Sequence, residues 1–97
     1  MTEYRLSKAA DRDLDEIYAY SFREFGELHA LAYLQSLDNC LQLLAAQPQL
    51  GVDVSSVRKD YFRFTHQRHA IYFKLSSNGI FVVRVLGPGM SAERNLP

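Results

Sequence analysis

Two histidines and three arginines in the second half of the chain are the side chains best suited to acid–base or phosphate chemistry. They are Arg63, His66, His69, Arg84 and Arg94. Histidine exchanges a proton near neutral pH, and arginine stabilises the negative charge that develops on a phosphate. His66 and His69 are three residues apart, and on one extended strand this spacing directs them to opposite faces. We therefore expect His69 to be a hydrogen-bonded structural residue at the sheet edge rather than a general acid or base.

Other kinds of active site are not indicated by the sequence. There is no glycine-rich phosphate-binding loop, no set of Cys and His residues with the spacing of zinc ligands, and no serine nucleophile motif. Cys40 is the sole cysteine, and at a core-facing helical position we expect it to be a buried, reduced side chain. Neither a metal ion nor a cofactor is predicted.

The first half of the chain contains the helices that would support this region. Residues 3–6 have strand character, and Ser7 is a suitable N-cap for the helix that follows. Gly26 can adopt the left-handed conformation that ends this helix. A second helix is predicted from about residue 28 to Ala46, because Pro48 disfavours helical geometry just before it. We expect the acids early in the first helix to form a solvated face: Asp11, Asp13, Asp15 and Glu16.

The second half reads as short aromatic and β-branched strands. The last two are joined by Asn78-Gly79, a pair typical of a two-residue hairpin turn. Such a turn would pair Leu75 with Val82 and Ile71 with Leu86. One predicted face then carries Ile71, Phe73, Leu75, Val82 and Leu86, with Arg84 and His69. The other carries Tyr72, Lys74, Phe81, Val83 and Val85.

The order of these elements predicts the fold class. We expect an α+β domain with an N-terminal strand and an antiparallel helical hairpin packed on a small, mainly antiparallel β-sheet, in the order β-α-α-β-β-β and in two layers. Residues 1–97 are predicted to form a single domain. Both sheet faces are apolar, so the face without helices is predicted to be a binding groove with cations at its rim. The alternative is that the chain after Leu86 folds back over this face.

Charge is distributed unevenly although the net charge is zero. Up to Asp38 eight acids and four bases give −4, and from Asp53 onwards three acids and seven bases give +4. A basic sheet side would attract an acidic partner, although ordinary solvated surface would show the same pattern. The balanced total argues against direct nucleic-acid binding. No apolar run is long enough to span a bilayer and no signal region is present, so no membrane contact and a cytoplasmic location are expected.

A series of short segments, none specific alone, has a distinctive order and spacing. The segments are 4–10, 13–17, 43–44, 48–51, 57–58, 61–64, 69–73, 82–86, Met90 and 93–94. Together they resemble the ParE branch of the ParE/RelE toxin superfamily. The resemblance implies the toxin of a type II toxin–antitoxin pair, which inhibits DNA gyrase by direct binding and forms a hetero-oligomer with a ParD-like antitoxin. DNA would then be contacted only through the antitoxin or gyrase.

The same resemblance suggests binding residues, because in the family the sheet groove receives the C-terminal acidic segment of the antitoxin. The candidate partners for its carboxylates are Arg58, Arg63 and Arg84, and the candidate apolar anchors are Tyr72, Phe73 and Val83. The candidates for contact with the target are His69, Met90 and Arg94.

RelE-like members of the superfamily instead cut messenger RNA on the ribosome. They commonly use a basic cluster and a Tyr beyond the last strand, with an Arg early in the penultimate strand. Here residues 87–90 carry no charge, no Tyr follows Tyr72, and His69 stands at the Arg position. Losing one general acid or base slows such a reaction by about 10²–10⁴-fold. No catalytic residue is therefore predicted, and the protein is expected not to be an enzyme.

Three positions near the C-terminus also depart from ParE-like sequences. Gly87, Ser91 and Asn95 stand where those sequences usually have His, Asp and His. A ribosome-dependent endoribonuclease and an inactive antitoxin-binding module of the same fold therefore stay as the alternatives to a gyrase inhibitor.

Overall fold

Two long helices lie against one face of a five-stranded sheet in the computed structural model, which describes residues 3–97. The first elements are strand β1 (Glu3–Leu6), helix α1 (Lys8–Phe25) and helix α2 (Glu27–Ala46). A 3₁₀ turn at Pro48–Leu50 leads to β2 (Val52–Asp53), β3 (Phe62–His66), β4 (His69–Ser76), β5 (Gly79–Leu86) and the short helix α3 (Ala92–Asn95). The predicted α+β class and its β-α-α-β-β-β order are confirmed, with β2 as an additional two-residue strand.

The strand order in the sheet is β1-β5-β4-β3-β2. The N-terminal strand β1 runs parallel to β5, and every other neighbouring pair is antiparallel. The sheet is therefore mainly antiparallel, as predicted. One edge of β5 pairs with β4, and the other edge has no strand partner among the described residues beyond Val82, where the pairing with β1 ends at Leu6. This open edge matters for the charged residues described below.

Local signals set the limits of the helices. The Ser7 hydroxyl accepts a hydrogen bond of 2.9 Å from the Ala10 backbone and donates one of 2.7 Å to the carbonyl of Val83, so this cap also fixes α1 to the sheet. Gly26 has φ of 91°, a conformation that costs other residues energy. This single residue reverses the chain between α1 and α2.

The β4–β5 hairpin differs from the predicted register. Gly79 belongs to β5 and pairs with Ser76, so the turn residues are Ser77 and Asn78, and Leu75 pairs with Ile80 instead of Val82. Glycine at this position lets β5 lie close to β1. A Cβ atom at position 79 would overlap the carbonyl oxygen of Glu3 on the neighbouring β1. The requirement for glycine at this position therefore comes from a strand that is distant in sequence.

A β-bulge on β5 changes the register again. Phe73 pairs with Val82 but Tyr72 pairs with Arg84, which leaves Val83 as the extra residue. An extra residue reverses the alternation of faces along the rest of the strand. Val85 consequently packs toward the helices and Leu86 toward the second face, so the predicted faces of these two residues are wrong.

Apolar side chains fill both faces of the sheet. The helix side holds the larger core, which includes Leu37, Leu41, Leu44, Ile71, Phe73, Ile80, Val82 and Val85. The second face holds Val54, Tyr61, Tyr72, Val83, Leu86 and Leu96. The second face is thus covered by residues 54–61 and by the C-terminal end of the chain, which is the alternative outcome considered from the sequence.

Cys40 is buried beside the main core, and burial raises the pKa of its thiol, in keeping with the expected role as an apolar residue. Within residues 3–97, none of the helices combines the length and the hydropathy needed to cross a membrane.

Candidate functional site

Arg84 and Asp13 form an ion pair at the edge of β5 that β1 does not cover. The Arg84 guanidinium donates from Nε and Nη2 to the two carboxylate oxygens of Asp13, each over 2.8 Å. The Asp13 carboxylate also accepts the backbone N–H of Val85 over 2.9 Å, so helix α1 supplies the partner that a further strand would have provided. Asp13 is buried, and its predicted place on a solvated face is therefore wrong.

Arg84 also holds the C-terminal end of the chain. Its Nη1 donates to the carbonyl oxygen of Asn95 over 3.1 Å. The hydrogen bonds to Asp13, partly offset by desolvation, raise the pKa of Arg84, so its charge is permanent. In this structure, then, a residue predicted to bind antitoxin carboxylates has a carboxylate and a carbonyl of its own chain as partners.

The C-terminal strap, defined here as residues 91–97, lies over the second sheet face. Arg58 donates to the carbonyl oxygens of Glu93 over 2.9 Å and of Leu96 over 3.4 Å. Leu96 is buried in the cluster that contains Tyr72 and Val83. Two predicted apolar anchors and two predicted arginines therefore surround the strap.

The remaining two antitoxin candidates lie in different places. Phe73 is fully buried on the helix side, with its ring stacked 5.8 Å from that of Phe62. It faces away from Tyr72, so its prediction as an anchor on the second face is wrong. Arg63 is half-buried on β3, where it pairs with Tyr72 of β4 and with Val52 of the edge strand β2. It lies at the rim of the covered face.

A cleft of about 700 Å³ opens beside the turn that joins β3 and β4. Its walls come from the second half of α1, the start of α2, this turn and the segment after β5. His69 and Met90, two predicted target contacts, both line it, and Met90 is 45% exposed. The third, Arg94, is exposed on α3 and is not among the cleft residues.

The two histidines lie next to each other, and His69 is the one that lines the cleft. His66 and His69 form a cross-strand pair on either side of the turn residues Gln67 and Arg68. Paired residues of neighbouring strands point to the same face. The prediction that these histidines face opposite ways is therefore wrong, because the chain reverses between them. The positive φ of 53° at Gln67 is the local sign of this tight turn, which the sequence did not reveal.

Hydroxyl groups of α2 hold both imidazoles. Tyr33 Oη lies 2.6 Å from Nδ1 of His69, and Ser36 Oγ lies 3.0 Å from Nε2 of His66. His69 is therefore hydrogen-bonded, as expected from the sequence. The sequence does not identify Tyr33 as the hydrogen-bond partner of His69, because its place in the second helix fits a core-facing residue equally well.

Burial makes this cluster electrically neutral at pH 7. Desolvation lowers the pKa of His69, helped by the positive charge of Arg68, and it also lowers the pKa of His66. Burial raises the pKa of Tyr33, so its hydroxyl stays protonated. The cluster can exchange hydrogen bonds with a partner, but neither imidazole supplies a positive charge for a phosphate at this pH. Among the described residues no group of three or more metal-ligating side chains is close enough to hold a metal ion.

Comparisons with known proteins agree with one another. Residues 4–91 match the model of a family described as the ParE toxin of the type II toxin–antitoxin system parDE. The chain is 30% identical over 96 residues to Toxin ParE1 of Caulobacter vibrioides, with 99% of both chains covered. It is 32% identical over 96 residues to Toxin ParE1 of Mycobacterium tuberculosis, with 98% of both covered. A solved structure of the chromosomal ParDE system from P. aeruginosa has the same fold, with a TM-score of 0.76, 21% identity, and coverage of 90% of this chain and 96% of that chain.

Proposed function

The chain belongs to the ParE toxin family of type II toxin–antitoxin systems, and from this premise we propose that it inhibits DNA gyrase by direct binding and that a ParD-like antitoxin neutralises it. Family membership over nearly the whole chain is the observation that carries the proposal. The finer steps below concern which surfaces of the toxin take part.

The proposed gyrase contact is the end of the helical hairpin together with the mouth of the adjoining cleft. Apolar side chains are unusually exposed there, with Phe25 at 58% and Leu28 at 85%, and Phe25 and Met90 both line the cleft. Exposed apolar groups around a concave site are typical of protein interaction surfaces. His69 would add hydrogen bonds from the floor of the cleft, and Arg94 would add charge on α3.

The proposed antitoxin contact is the second sheet face. The antitoxin would contact Arg63 at the rim of this face. It would contact Tyr72 and Val83 only after the C-terminal strap moves aside. Arg58 and Arg84 hold this strap through neutral carbonyl oxygens. Carboxylates form stronger hydrogen bonds with arginine than carbonyls do. An acidic antitoxin segment would thus compete well for Arg58 and for Nη1 of Arg84, whereas Nε and Nη2 of Arg84 are already paired with the Asp13 carboxylate.

Supercoiling by purified gyrase, with ATP and increasing amounts of this protein, tests the proposal. We expect inhibition together with linear, cleaved plasmid, and we expect both to disappear when the cognate antitoxin is added first. Undiminished supercoiling at a large excess of toxin that still binds its antitoxin would reject gyrase as the target. Heat-denatured toxin provides the control for nonspecific effects.

One observation favours a second candidate function, cleavage of messenger RNA on the ribosome. The ring centroids of His66 and His69 lie 5.8 Å and 5.5 Å from that of Tyr33, and Tyr33, His69 and Arg68 line the cleft, so the two histidines are close together although the sequence argued against a shared site. Incubation with purified, programmed ribosomes tests it directly. Cleavage that is lost in the His69→Gln variant would support this function, and intact messenger RNA alongside gyrase inhibition would exclude it.

A further inference from the structure

A second groove runs between the two long helices, on the side away from the cleft. It has a volume of about 750 Å³ and is lined by matching stripes of α1 and α2, with Tyr4 of β1 also lining it. Leu37 and Leu41 are fully buried residues beneath it, Leu14 and Leu34 are half-buried, and Leu31 is 48% exposed. We refer to it as the helix groove. An open apolar groove of this kind suits the apolar face of a helix from another protein.

Its charged side chains are all of one sign. The acids that line it are Asp11, Asp15 and Asp38, and no lysine, arginine or histidine in residues 3–97 lines it. Three carboxylates around an apolar groove produce a negative potential that the groove's own side chains do not neutralise. The surface therefore selects a partner by charge as well as by shape.

One of the acids is held in place by neutral donors. The Tyr4 hydroxyl donates to one oxygen of Asp38, and the Gln42 side chain donates to the other over 2.8 Å. Burial, followed by the hydrogen bond to Asp38 and its charge, raises the pKa of Tyr4 to about 12. Tyr4 therefore stays neutral and orients the carboxylate without cancelling its charge.

We propose that the helix groove docks a basic amphipathic helix of a partner protein. Apolar side chains at i, i+3, i+4 and i+7 of that helix would pack between Leu31 and Leu14. Lysine or arginine residues beside them would pair with Asp11 and Asp15. An acidic antitoxin segment would be repelled here, so the groove is a second interaction surface, independent of the basic sheet face. A second copy of this chain would bring two acidic helical surfaces together, which is unfavourable for the same reason.

Two synthetic peptides provide the test. Both are helical with the same leucine face, and one has lysine and the other glutamate on its flanks. Binding to the full chain is measured by fluorescence anisotropy, and the site is located by NMR chemical-shift changes. We expect the lysine peptide to bind with a dissociation constant on the order of 10–100 µM and the glutamate peptide at least tenfold more weakly. Raising the salt concentration should reduce this difference because it screens surface charges.

Matched variants distinguish the groove from general acidity. The double substitution Asp11→Lys with Asp15→Lys should weaken binding of the lysine peptide at least tenfold. The control, Glu24→Lys with Glu27→Lys, changes the net charge equally at exposed helical positions outside the groove and should leave affinity within about twofold. Leu31→Glu tests the apolar part, with Leu28→Glu as its exposed control.

Several results would overturn the proposal. They are equal binding of the two peptides, equal losses in groove and control variants, or no binding of the lysine peptide at about 1 mM. Self-association of the chain that Leu31→Glu abolishes would assign the groove to a second copy instead. All these measurements use antitoxin-free protein without gyrase, so they succeed or fail independently of the gyrase proposal.

Discussion

Asp13 and Arg84, which are 71 positions apart in the chain, are joined by two hydrogen bonds of 2.8 Å at the edge of the sheet. Their side chains are 8% and 19% exposed, so water screens the pair only partly. The same carboxylate caps the Val85 backbone. This arrangement attaches α1 to the part of β5 that β1 does not reach.

The first prediction concerns this pair. Asp13→Ala should lower the free energy of unfolding by about 3 kcal/mol, because it leaves the Arg84 charge and a buried N–H without their partner. Asp15→Ala, an exposed neighbour on the same helix, should change it by less than about 0.5 kcal/mol. Urea unfolding followed by circular dichroism measures both values. Equal effects of the two substitutions would show that the pair contributes no stability.

The second prediction concerns pH. Because burial lowers the pKa of His69 and His66 in the folded protein, the unfolded chain binds protons more readily than the native one. Stability should therefore decrease as the pH falls below about 6.5, the ordinary histidine value. His69→Gln should make unfolding free energies at pH 7.5 and 5.5 more nearly equal. His29→Gln, a histidine substitution at an exposed position on α2, is the control.

The third prediction concerns the C-terminal strap. Leu96→Ala removes its buried anchor and should shift the strap toward an open state, at a local cost of about 2 kcal/mol. If the antitoxin uses the face beneath, its apparent affinity should rise by roughly tenfold for each 1.4 kcal/mol lost from the closed state. Leu28→Ala, at an 85% exposed position, is the control. Isothermal titration calorimetry with the antitoxin measures the affinity of each variant. Weaker binding by Leu96→Ala would mean that the antitoxin contacts the strap itself.

The fourth prediction concerns Arg63. Arg63→Glu places a negative charge at the rim of the second sheet face and should weaken antitoxin binding by about 2–3 kcal/mol. Arg12→Glu makes the same charge change at an exposed position on α1 and is the matched control. Unchanged affinity in both variants would remove this face from the antitoxin interface.

The fifth prediction concerns the cleft. Met90→Glu puts a charge on its exposed apolar wall and should reduce gyrase inhibition at least tenfold without affecting stability. Leu75→Glu lies on β4 near the β4–β5 turn, at a position that is 58% exposed. It should inhibit gyrase as the unchanged protein does. Full inhibition by Met90→Glu would exclude the Met90 side of the cleft and leave the end of the helical hairpin as the gyrase contact.

Several features of the fold could be predicted because short-range chemistry determines them. Ser7 caps α1 through a residue three positions away, and Gly26 ends that helix through its own backbone conformation. The apolar stripes of the helices and the β-branched segments follow from the periodicity of each element. These local signals were sufficient for the fold class and the order of its elements.

The candidate site was less predictable because its residues meet across the molecule. Tyr33 and His69 are 36 residues apart, and no pattern in the sequence marks Tyr33 as more than a core-facing helical residue. The same holds for the strap, because the sequence allows a folded-back C-terminus but does not mark Arg58 as the residue that anchors it. The family resemblance indicated which residues are candidates for binding. Only the structure shows the contacts that each of these residues makes.

The sequence by itself determined the helices, the strands and the family of this protein, because periodicity, capping and the order of motifs are properties of neighbouring residues. Only the tertiary structure decided the strand register, the burial of Asp13 and the faces on which Val85 and Leu86 lie. The hairpin pairs Leu75 with a residue two positions earlier on β5 than predicted, which keeps each side chain on its face. The single extra residue at the Val83 bulge, in contrast, turns the later side chains of β5 to the other face.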